Sequence, residues 1–258
     1  MNRHVKTLML QFLSLLCRDD GPKIVYYHDI GNANTLMGTP MERFRAHVGM
    51  TKLEGWTFTA NVPSRNRELM ICFDDGFRGV LDARDFIVSE HLRPTVFIAV
   101  DLVGRPGYLT WDEILDLQED GFIFQSHTWS HQTLAGDMIR ESPIEERTDA
   151  WFDRELRRSR EVLSDRLGHA IDSLCFPAGH FSDEVIRRAG EAGYRYLFAS
   201  FPGKMPDRKF DSDGVIIVPR FLVQNSSNHD MKSILNGGMN PFKQHYIKQH
   251  FTGRSLRI

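Results

Sequence analysis

The chain has 258 residues, 41% of them hydrophobic and 26% charged, enough to bury one large core or two smaller ones. Its 32 basic and 34 acidic residues nearly balance, so nothing in the overall charge points to a nucleic-acid partner. The three cysteines are odd in number and lack C-x-x-C spacing, which argues against a disulfide framework and suits a cytoplasmic protein.

The N-terminal residues combine two cations with an apolar run. Arg3 and Lys6 precede a mostly apolar stretch over 7–17 that Gln11 interrupts, and no small-residue cleavage site follows it. We therefore expect residues 1–22 to form a helical extension of a cytoplasmic protein. The alternative is an exported protein whose residues 1–17 act as a signal peptide. No run of 18 apolar residues occurs, so we expect no membrane-spanning helix.

Short runs rich in β-branched and aromatic residues alternate with helical stretches along the rest of the chain. This alternation predicts a parallel sheet, either open or closed into a barrel. Thr110 and Glu113 form a capping-box pattern before one of the helices. The predicted strands are 23–27, 69–73, 95–99, 122–125, 174–176, 196–199 and 215–218, and the predicted helices are 41–53, 79–90, 111–119, 144–166 and 183–192.

Polar residues suited to chemistry follow three of the predicted strands. His28 comes after the strand at 23–27, Asp74 and Asp75 come after the strand at 69–73, and His127 comes shortly after the strand at 122–125. In a β/α barrel the catalytic groups gather at the carboxyl ends of the strands. We therefore expect these side chains to share one site.

Two short patterns carry the chemistry of that site. Asp-Asp-Gly at 74–76 is by itself a common turn sequence, and His-x-x-x-His at 127–131 is by itself a weak signal. Together, two imidazoles and one carboxylate can bind a divalent metal and leave a coordination position open for water. The second carboxylate can then transfer a proton. The combination predicts metal-assisted hydrolysis.

Three stretches of the chain resemble the motifs of the polysaccharide deacetylases, also called the NodB-homology or family 4 carbohydrate esterase domain. These stretches are FDDG at 73–76, HTWSH at 127–131 and FPAG at 176–179. RPTVFI at 93–98 and GEAGY at 190–194 resemble other segments of that domain. The resemblance covers about residues 23–223, which is most of the chain.

The resemblance implies a distorted (β/α)7 barrel, here a catalytic domain over residues 23–225. It implies that Asp75, His127 and His131 bind one divalent metal, usually zinc, and that Asp74 is the general base. The substrate would be an N-acetyl group on a sugar of a glycan or glycoconjugate. Pro177 and Gly179 belong to the third motif and would support the site. Trp129 lies between the two histidines and would either line the sugar site or pack in the core or at the rim.

Two departures from the common family pattern concern residues near the base and the general acid. Cys175 stands where the common pattern has an arginine that orients the base, and RFLVQ at 220–224 lacks the histidine of a late Leu-x-His motif. The branch of poly-N-acetylglucosamine deacetylases instead carries Tyr-His after its first strand, which Tyr27 and His28 resemble. That branch implies His28 as general acid, with Arg220 orienting Asp74. The alternatives are a histidine bonded to nearby backbone and a surface arginine.

The C-terminal segment 226–258 contains no acidic residue after Asp230 but carries Lys232, Lys243, Lys248, Arg254 and Arg257. We expect it to be a solvated basic tail. The alternative is peripheral contact with an anionic membrane surface or a lipid-linked substrate.

The leading hypothesis is a metal-dependent N-deacetylase that acts in the assembly of a surface glycan. One alternative is a hydrolase with the same barrel that acts on an O-acetyl ester or a non-sugar amide, since substrate choice depends on loops. Another is an inactive carbohydrate-binding relative. The presence of all four residues Asp74, Asp75, His127 and His131 argues against an inactive protein.

Overall fold

The computed structural model describes residues 3–31, 37–136, 147–203, 214–224 and 226–252. Within these ranges the strands follow one another along the chain with helices between most of them. The strands are β1 Lys23–Tyr27, β2 Asp29–Ile30, β3 Gly38–Thr39, β4 Thr57–Phe58, β5 Glu68–Phe73, β6 Thr95–Ile98, β7 Ile123–Ser126, β8 Ser173–Cys175, β9 Tyr196–Ala199, β10 Ile216–Pro219 and β11 Phe221–Leu222.

The helices cover the outside of the sheet. They are α1 Arg3–Leu16, α2 Met41–Leu53, α3 Arg84–Ser89, α4 Trp111–Glu119, α5 Asp149–Phe152, α6 Ser159–Leu167, α7 Asp183–Glu191, α8 Asn228–Leu235 and α9 Lys243–His250. A π-helical segment, Asp153–Arg158, joins α5 to α6. No helix in the described part of the chain is both long enough and apolar enough to cross a membrane.

The main sheet nearly closes into a barrel. Its strands run parallel in the order β10-β9-β8-β7-β6-β5-β1-β11, and β4 pairs with β5. β10 and β11 lie at opposite edges of this order, yet only Arg220 separates them along the chain. They therefore act as one strand interrupted at Arg220, which brings the two edges together. The seven resulting strand positions confirm the predicted distorted (β/α)7 barrel.

Alternate strand residues face two different cores, as the two-residue period of a strand requires. One face of the strands packs against the helices and includes Val25, Tyr27 and Ile71. The opposite face fills a smaller second cluster, which we place in the interior of the barrel. That cluster consists of Ile24, Tyr26, Met70, Cys72, Phe97, Cys175, Phe198 and Val218. Both faces are buried, so the strands read in sequence as continuous apolar runs.

The predicted seven strands are all present, and no end shifts by more than one residue. β2, β3, β4 and β11 were not predicted, because each has only two residues and so no periodicity. The helix predicted over 79–90 begins with a 3-10 turn, Arg78–Ala83, before α3. Of the helix predicted over 144–166, residues 144–146 lie outside the described residues, and the remainder forms α5, the π-helical segment and α6.

The N-terminal extension forms α1, and the C-terminal segment differs from the predicted solvated tail. In its described part, residues 226–252, α8 and α9 pack on the barrel because Met231, Ile234, Leu235 and Ile247 are buried. Ser227 begins α8 through a capping box. The apolar positions 231, 234 and 235 have helical spacing, which outweighs the excess of positive charge. Arg254 and Arg257 lie outside the described residues.

Candidate active site

The two neighbouring aspartates follow β5 and point to different partners. Asp74 continues the strand, since its N–H donates to the Tyr27 carbonyl at 2.9 Å. Asp75 and Gly76 then both adopt left-handed backbone conformations, with φ of 70° and 73°. A side chain at Gly76 would meet Ile98 at 2.7 Å, so the turn requires glycine there. This turn lets adjacent carboxylates enter separate networks.

Asp74 is held by Arg220 in a bidentate ion pair inside the barrel. Arg220 Nη1 donates to Asp74 Oδ1 at 2.6 Å, and Nη2 donates to Oδ2 at 2.9 Å. The guanidinium lies over the Tyr26 ring at 4.2 Å, and both charged side chains are buried. Burial raises the pKa of the Asp74 carboxyl, but Arg220 outweighs that effect and holds the pKa below its usual value.

Cys175 lies beside this ion pair, at the position where the common family pattern has an arginine. Arg220 Nη2 donates to its sulfur at 2.9 Å, and the sulfur lies 3.6 Å from Asp74 Oδ2. Burial raises the pKa of the Cys175 thiol well above its usual value. Arg220 thus approaches Asp74 from the strand junction and fills the place that the missing arginine would occupy.

Asp75 faces the two histidines of the HTWSH segment. Its Oδ1 lies 3.0 Å from His127 Nε2 and 3.0 Å from His131 Nε2. One carboxylate oxygen and two ring nitrogens therefore converge within 4.8 Å of one another.

The contacts of Asp75 Oδ1 fit a bound cation better than a set of hydrogen bonds. His127 Nδ1 lies 2.8 Å from the Cys175 carbonyl and must donate to it, so in the neutral ring Nε2 carries a lone pair. That lone pair faces Asp75 Oδ1, a buried oxygen that makes no hydrogen bond. Two lone pairs at this distance repel unless a positive ion lies between them. The donor set of two imidazoles and one carboxylate is the one that zinc takes in hydrolytic sites.

A loop, and not a helix, carries the two histidines. Thr128 and His131 have φ of 71° and 64°, conformations that side chains other than glycine adopt rarely. A buried carboxylate stabilises the loop, since Glu155 Oε2 accepts hydrogen bonds from the Trp129 and Ser130 N–H groups at 3.1 and 2.8 Å. Ser130 Oγ donates to Glu155 Oε1 at 2.9 Å.

Glu155 is a residue that the sequence did not single out. It is fully buried and belongs to the π-helical segment Asp153–Arg158. Single π-helical turns often occur at functional sites, because the extra residue redirects a side chain. Only the π-helical geometry would have identified Glu155. A π-helical segment cannot be distinguished from an ordinary helix in sequence.

His28 follows β1 and lies in the wall of the same cavity as Asp74 and the metal-binding group. Its Nδ1 lies 2.6 Å from Gln224 Oε1. Gln224 occupies the histidine position of the late Leu-x-His motif. In this chain the side chain at that position forms a hydrogen bond with His28. Because an amide oxygen only accepts hydrogen bonds, His28 Nδ1 carries a proton and donates it to Gln224 Oε1. The other ring nitrogen, Nε2, is not used in this contact.

A cavity of about 390 Å³ opens above these groups. Apart from the barrel residues, α1 contributes Leu10, α8 contributes Asp230 and Ile234, and α9 contributes Tyr246 and His250 to the wall. Both terminal segments of the described chain therefore help to enclose the site. Sequence reasoning missed these wall residues because nothing in their local pattern places α1 and α9 beside the barrel opening.

The remaining predicted site residues support the cavity. Pro177 and Gly179 form a 3-10 turn, and a side chain at Gly179 would meet Ser200 Cβ at 2.5 Å. Ala178 between them lines the cavity. Trp129 is partly buried and packs against the outer core, and it is not among the described residues that line the cavity. Packing against the core was one of the alternatives expected for this residue.

Several solved structures, among them proteins named as deacetylases, share this fold at low sequence identity. IcaB from Ammonifex degensii superposes with a TM-score of 0.71 at 17% identity, over 85% of this chain and 98% of IcaB. The PplD deacetylase of Streptococcus pyogenes, solved with acetate, gives 0.69 at 18% identity over 83% of this chain and 98% of PplD. A polysaccharide deacetylase from Bacillus cereus gives 0.69 at 20% identity over 83% of this chain and 69% of that protein.

Sequence comparison identifies the family. YxkH of Bacillus subtilis (strain 168), provisionally named as a polysaccharide deacetylase, is 22% identical over 191 residues, which are 70% of this chain and 64% of YxkH. A sequence profile described as polysaccharide deacetylase matches residues 61–197, just over half of the chain. That range contains the Asp-Asp-Gly turn, the histidine loop and the third motif. The chain belongs to the polysaccharide deacetylase family.

Proposed function

We propose that the protein is a metal-dependent deacetylase that hydrolyses the acetamide of an N-acetylated sugar in a glycan or glycoconjugate. The observation that carries this proposal is the different surroundings of the two adjacent carboxylates. Asp75 faces two histidines, whereas Asp74 faces an arginine. A metal ligand and a general base have different tasks, and the two surroundings suit one carboxylate to each task.

Asp75, His127 and His131 would hold the metal, and zinc fits their donor atoms. The bound metal would lower the pKa of a water molecule and polarise the acetamide carbonyl. His127 is fixed for this task by its Nδ1–H bond to the Cys175 carbonyl. Glu155 fixes the loop that carries both histidines.

Asp74 is suited to accept the proton of the attacking water. Its pKa is lowered, so it is ionised at neutral pH and able to accept a proton. Arg220 holds both of its oxygens and thereby orients the carboxylate. The arginine acts through Asp74, so we regard it as a positioning residue.

His28 is suited to protonate the leaving amine. An amide nitrogen leaves poorly without a proton, so hydrolysis of an acetamide needs a general acid. Gln224 accepts a hydrogen bond from His28 Nδ1, which directs the ring and leaves Nε2 to carry the transferred proton. Both His28 and Asp74 line the cavity. A proton donor and a proton acceptor that act on one substrate must share a site in this way.

The cavity wall offers groups that suit a sugar. Tyr246 and His250 form a stacked pair of rings in that wall, with an interplanar angle of 6°. Aromatic faces pack against the apolar faces of pyranose rings, while Ser200 and Gln224 provide polar contacts. These features support a carbohydrate substrate.

The test is release of acetate from defined substrates before and after the metal is removed. We expect release from N-acetylated oligosaccharides, lipid-linked N-acetyl sugars or nucleotide N-acetyl sugars, loss of activity on chelation, and recovery on addition of zinc. Matched O-acetylated sugars are measured in parallel. Release from the O-acetyl esters alone, or full activity after complete metal removal, would show that the proposal is wrong.

A further inference from the structure

The N-terminal helix α1 is amphipathic, but its apolar side faces outward. Val5, Leu8, Phe12 and Leu15 recur at spacings of three and four residues, which places them on one side of the helix. Their exposed fractions are 53%, 66%, 61% and 81%, and Leu16 beside them is 66% exposed. Half of the exposed large apolar side chains in the described part of the protein lie on this one helix.

The opposite side of α1 is attached to the body of the protein. Leu10 is buried, and Thr7 donates a hydrogen bond to Asp230 of α8 at 3.0 Å. Gly238 allows close approach, since a side chain there would meet the Leu10 carbonyl at 2.6 Å. The outward orientation of the apolar stripe is therefore set by packing, and the stripe must be covered by something outside the described fold or remain in water.

The charged residues in and near α1 favour binding to an anionic surface. The sequence of α1 contains Arg3 and Lys6 and no acidic residue. The two carboxylates that follow it are each paired, Asp19 with Lys23 and Asp20 with Arg67. The helix α9, which borders the same cavity, likewise contains lysines and no acidic residue.

We propose that α1 lies in the interface of an anionic lipid bilayer, with the stripe Val5, Leu8, Phe12 and Leu15 at the boundary between headgroups and acyl chains. A helix with leucine and phenylalanine on one side and cations elsewhere binds such surfaces through apolar burial and attraction to anionic headgroups. The membrane contact thus uses the N-terminal helix, whereas the membrane contact that the sequence offered as an alternative used the C-terminal segment.

A second copy of the chain is the competing occupant, and the sequence of α1 disfavours it. The stripe spans only two heptads, whereas coiled-coil pairing is usually sustained over three or more. Two copies of α1 would also bring like charges together without an acidic partner on either helix. Anionic lipid provides the complementary charge that a second copy lacks.

The position of α1 connects this surface to the cavity. Leu10 lines the cavity from the inner side of α1, while the stripe occupies the outer side. Bound in this way, the helix would hold the cavity close to the lipid surface. If the deacetylase function proposed above is correct, glycans attached to or growing at a membrane are the substrates that this placement serves.

The test measures binding to vesicles by flotation, without any substrate. We expect the protein to bind vesicles of phosphatidylglycerol and phosphatidylcholine more tightly than phosphatidylcholine alone. The triple variant L8Q/F12Q/L15Q should lose at least about 100-fold in partition coefficient, because each buried apolar side chain contributes roughly tenfold. The matched control is L53Q/V88Q/L115Q, which alters three exposed apolar residues outside α1 and should bind like the original protein.

Three further measurements decide the outcome. Phe12→Trp should show added fluorescence quenching by brominated lipids, and this conservative change does not depend on the triple variant folding. Equal binding by the two triple variants, or no added quenching, would overturn the proposal. So would light scattering that shows a dimer converted to a monomer by L8Q/F12Q/L15Q. Acetate release from oligosaccharides in solution should not change in that variant, so this test is independent of the enzyme assay.

Discussion

Arg220, the residue that separates the edge strands β10 and β11, forms a bidentate ion pair with Asp74. The bidentate contact, at 2.6 and 2.9 Å, joins the point where the barrel closes to the carboxylate that we propose as general base. Cys175, which takes the usual place of an orienting arginine, lies within reach of both groups. Arg220 therefore makes the contact that the resemblance assigns to an arginine at position 175.

We predict that Arg220→Met reduces activity by at least about 100-fold and destabilises the protein by about 3–5 kcal/mol, since it leaves Asp74 buried without a partner. Substituting Cys175→Arg in the Arg220→Met background should restore part of both losses, because the end of β8 then supplies a guanidinium beside Asp74. Acetate release and urea unfolding measure the two effects. A double variant with no recovery of either quantity would show that Cys175 does not occupy an equivalent position.

The two adjacent aspartates should separate in a metal-binding assay. Asp74→Asn should remove most activity while zinc is retained, because the acceptor of the proton is lost and the three converging ligands are unchanged. Asp75→Asn should weaken zinc binding itself, since one of three ligands loses its charge. Zinc content and affinity are measured on the purified variants. Equal zinc loss in both would mean that the roles are assigned wrongly.

The sequence predicted a parallel sheet and the cluster of Asp74, Asp75 and His127, because strands buried on both faces read as apolar runs and their polar ends mark one edge. The resemblance to the deacetylases supplied the expectation that this sheet closes into a barrel. The sequence left the role of Arg220 open. This arginine is placed beside Asp74 only when β11 pairs with β1 and closes the barrel. Glu155 depends on a tertiary contact to a loop more than twenty residues away in sequence, which no local pattern reveals.

The structure of the C-terminal segment was predicted wrongly for a different reason. Its excess of positive charge is a property of the segment's surface, whereas its packing depends on a few apolar residues such as Met231 and Leu235. Charge composition therefore predicted a solvated tail, although the helical spacing of those residues was available. Hydrophobic periodicity is the stronger signal where the two disagree.

Glu155 should affect metal binding without contacting the metal. Glu155→Gln removes a charge that accepts from the Trp129 and Ser130 N–H groups, so the histidine loop should lose its fixed position. We expect zinc affinity to fall by about 10- to 100-fold, the usual effect of losing a group that orients metal ligands. Zinc titration checks this, and Glu191→Gln on the exposed side of α7 is the control. Unchanged zinc affinity would contradict the role given to Glu155.

His47 should make stability depend on pH. Tyr27 Oη lies 3.0 Å from its Nδ1 and the Ser226 carbonyl lies 3.0 Å from its Nε2, so the buried ring is neutral and fully bonded. Burial lowers its pKa from 6.5 to about 4.

Below pH 6.5 the unfolded chain binds a proton at His47 that the folded chain does not bind until about pH 4. The free energy of unfolding should therefore fall between these values, by up to about 3 kcal/mol, and be independent of this group above them. His47→Gln should flatten that part of the pH profile of urea unfolding. A variant profile with the original slope would exclude His47 as the cause.

His28 is the residue whose removal tests the proposed chemistry most directly. If His28 protonates the leaving amine, His28→Ala should reduce acetamide hydrolysis by about 100-fold or more, the usual effect of losing a general acid. An activated acetate ester should be affected much less, because its leaving group departs without a proton. Zinc content should not change, since His28 is not in the group of converging ligands.

Gln224 provides the matched control for His28. Gln224→Glu keeps an oxygen acceptor for His28 Nδ1, whereas Gln224→Leu removes it. We expect Gln224→Leu to lower kcat for the acetamide with little change for the ester. We expect Gln224→Glu to raise the pH above which acetamide hydrolysis is lost, because a carboxylate keeps the imidazolium protonated to higher pH. Equal losses on amide and ester in His28→Ala would show that His28 binds or positions the substrate. A different group would then have to protonate the leaving nitrogen.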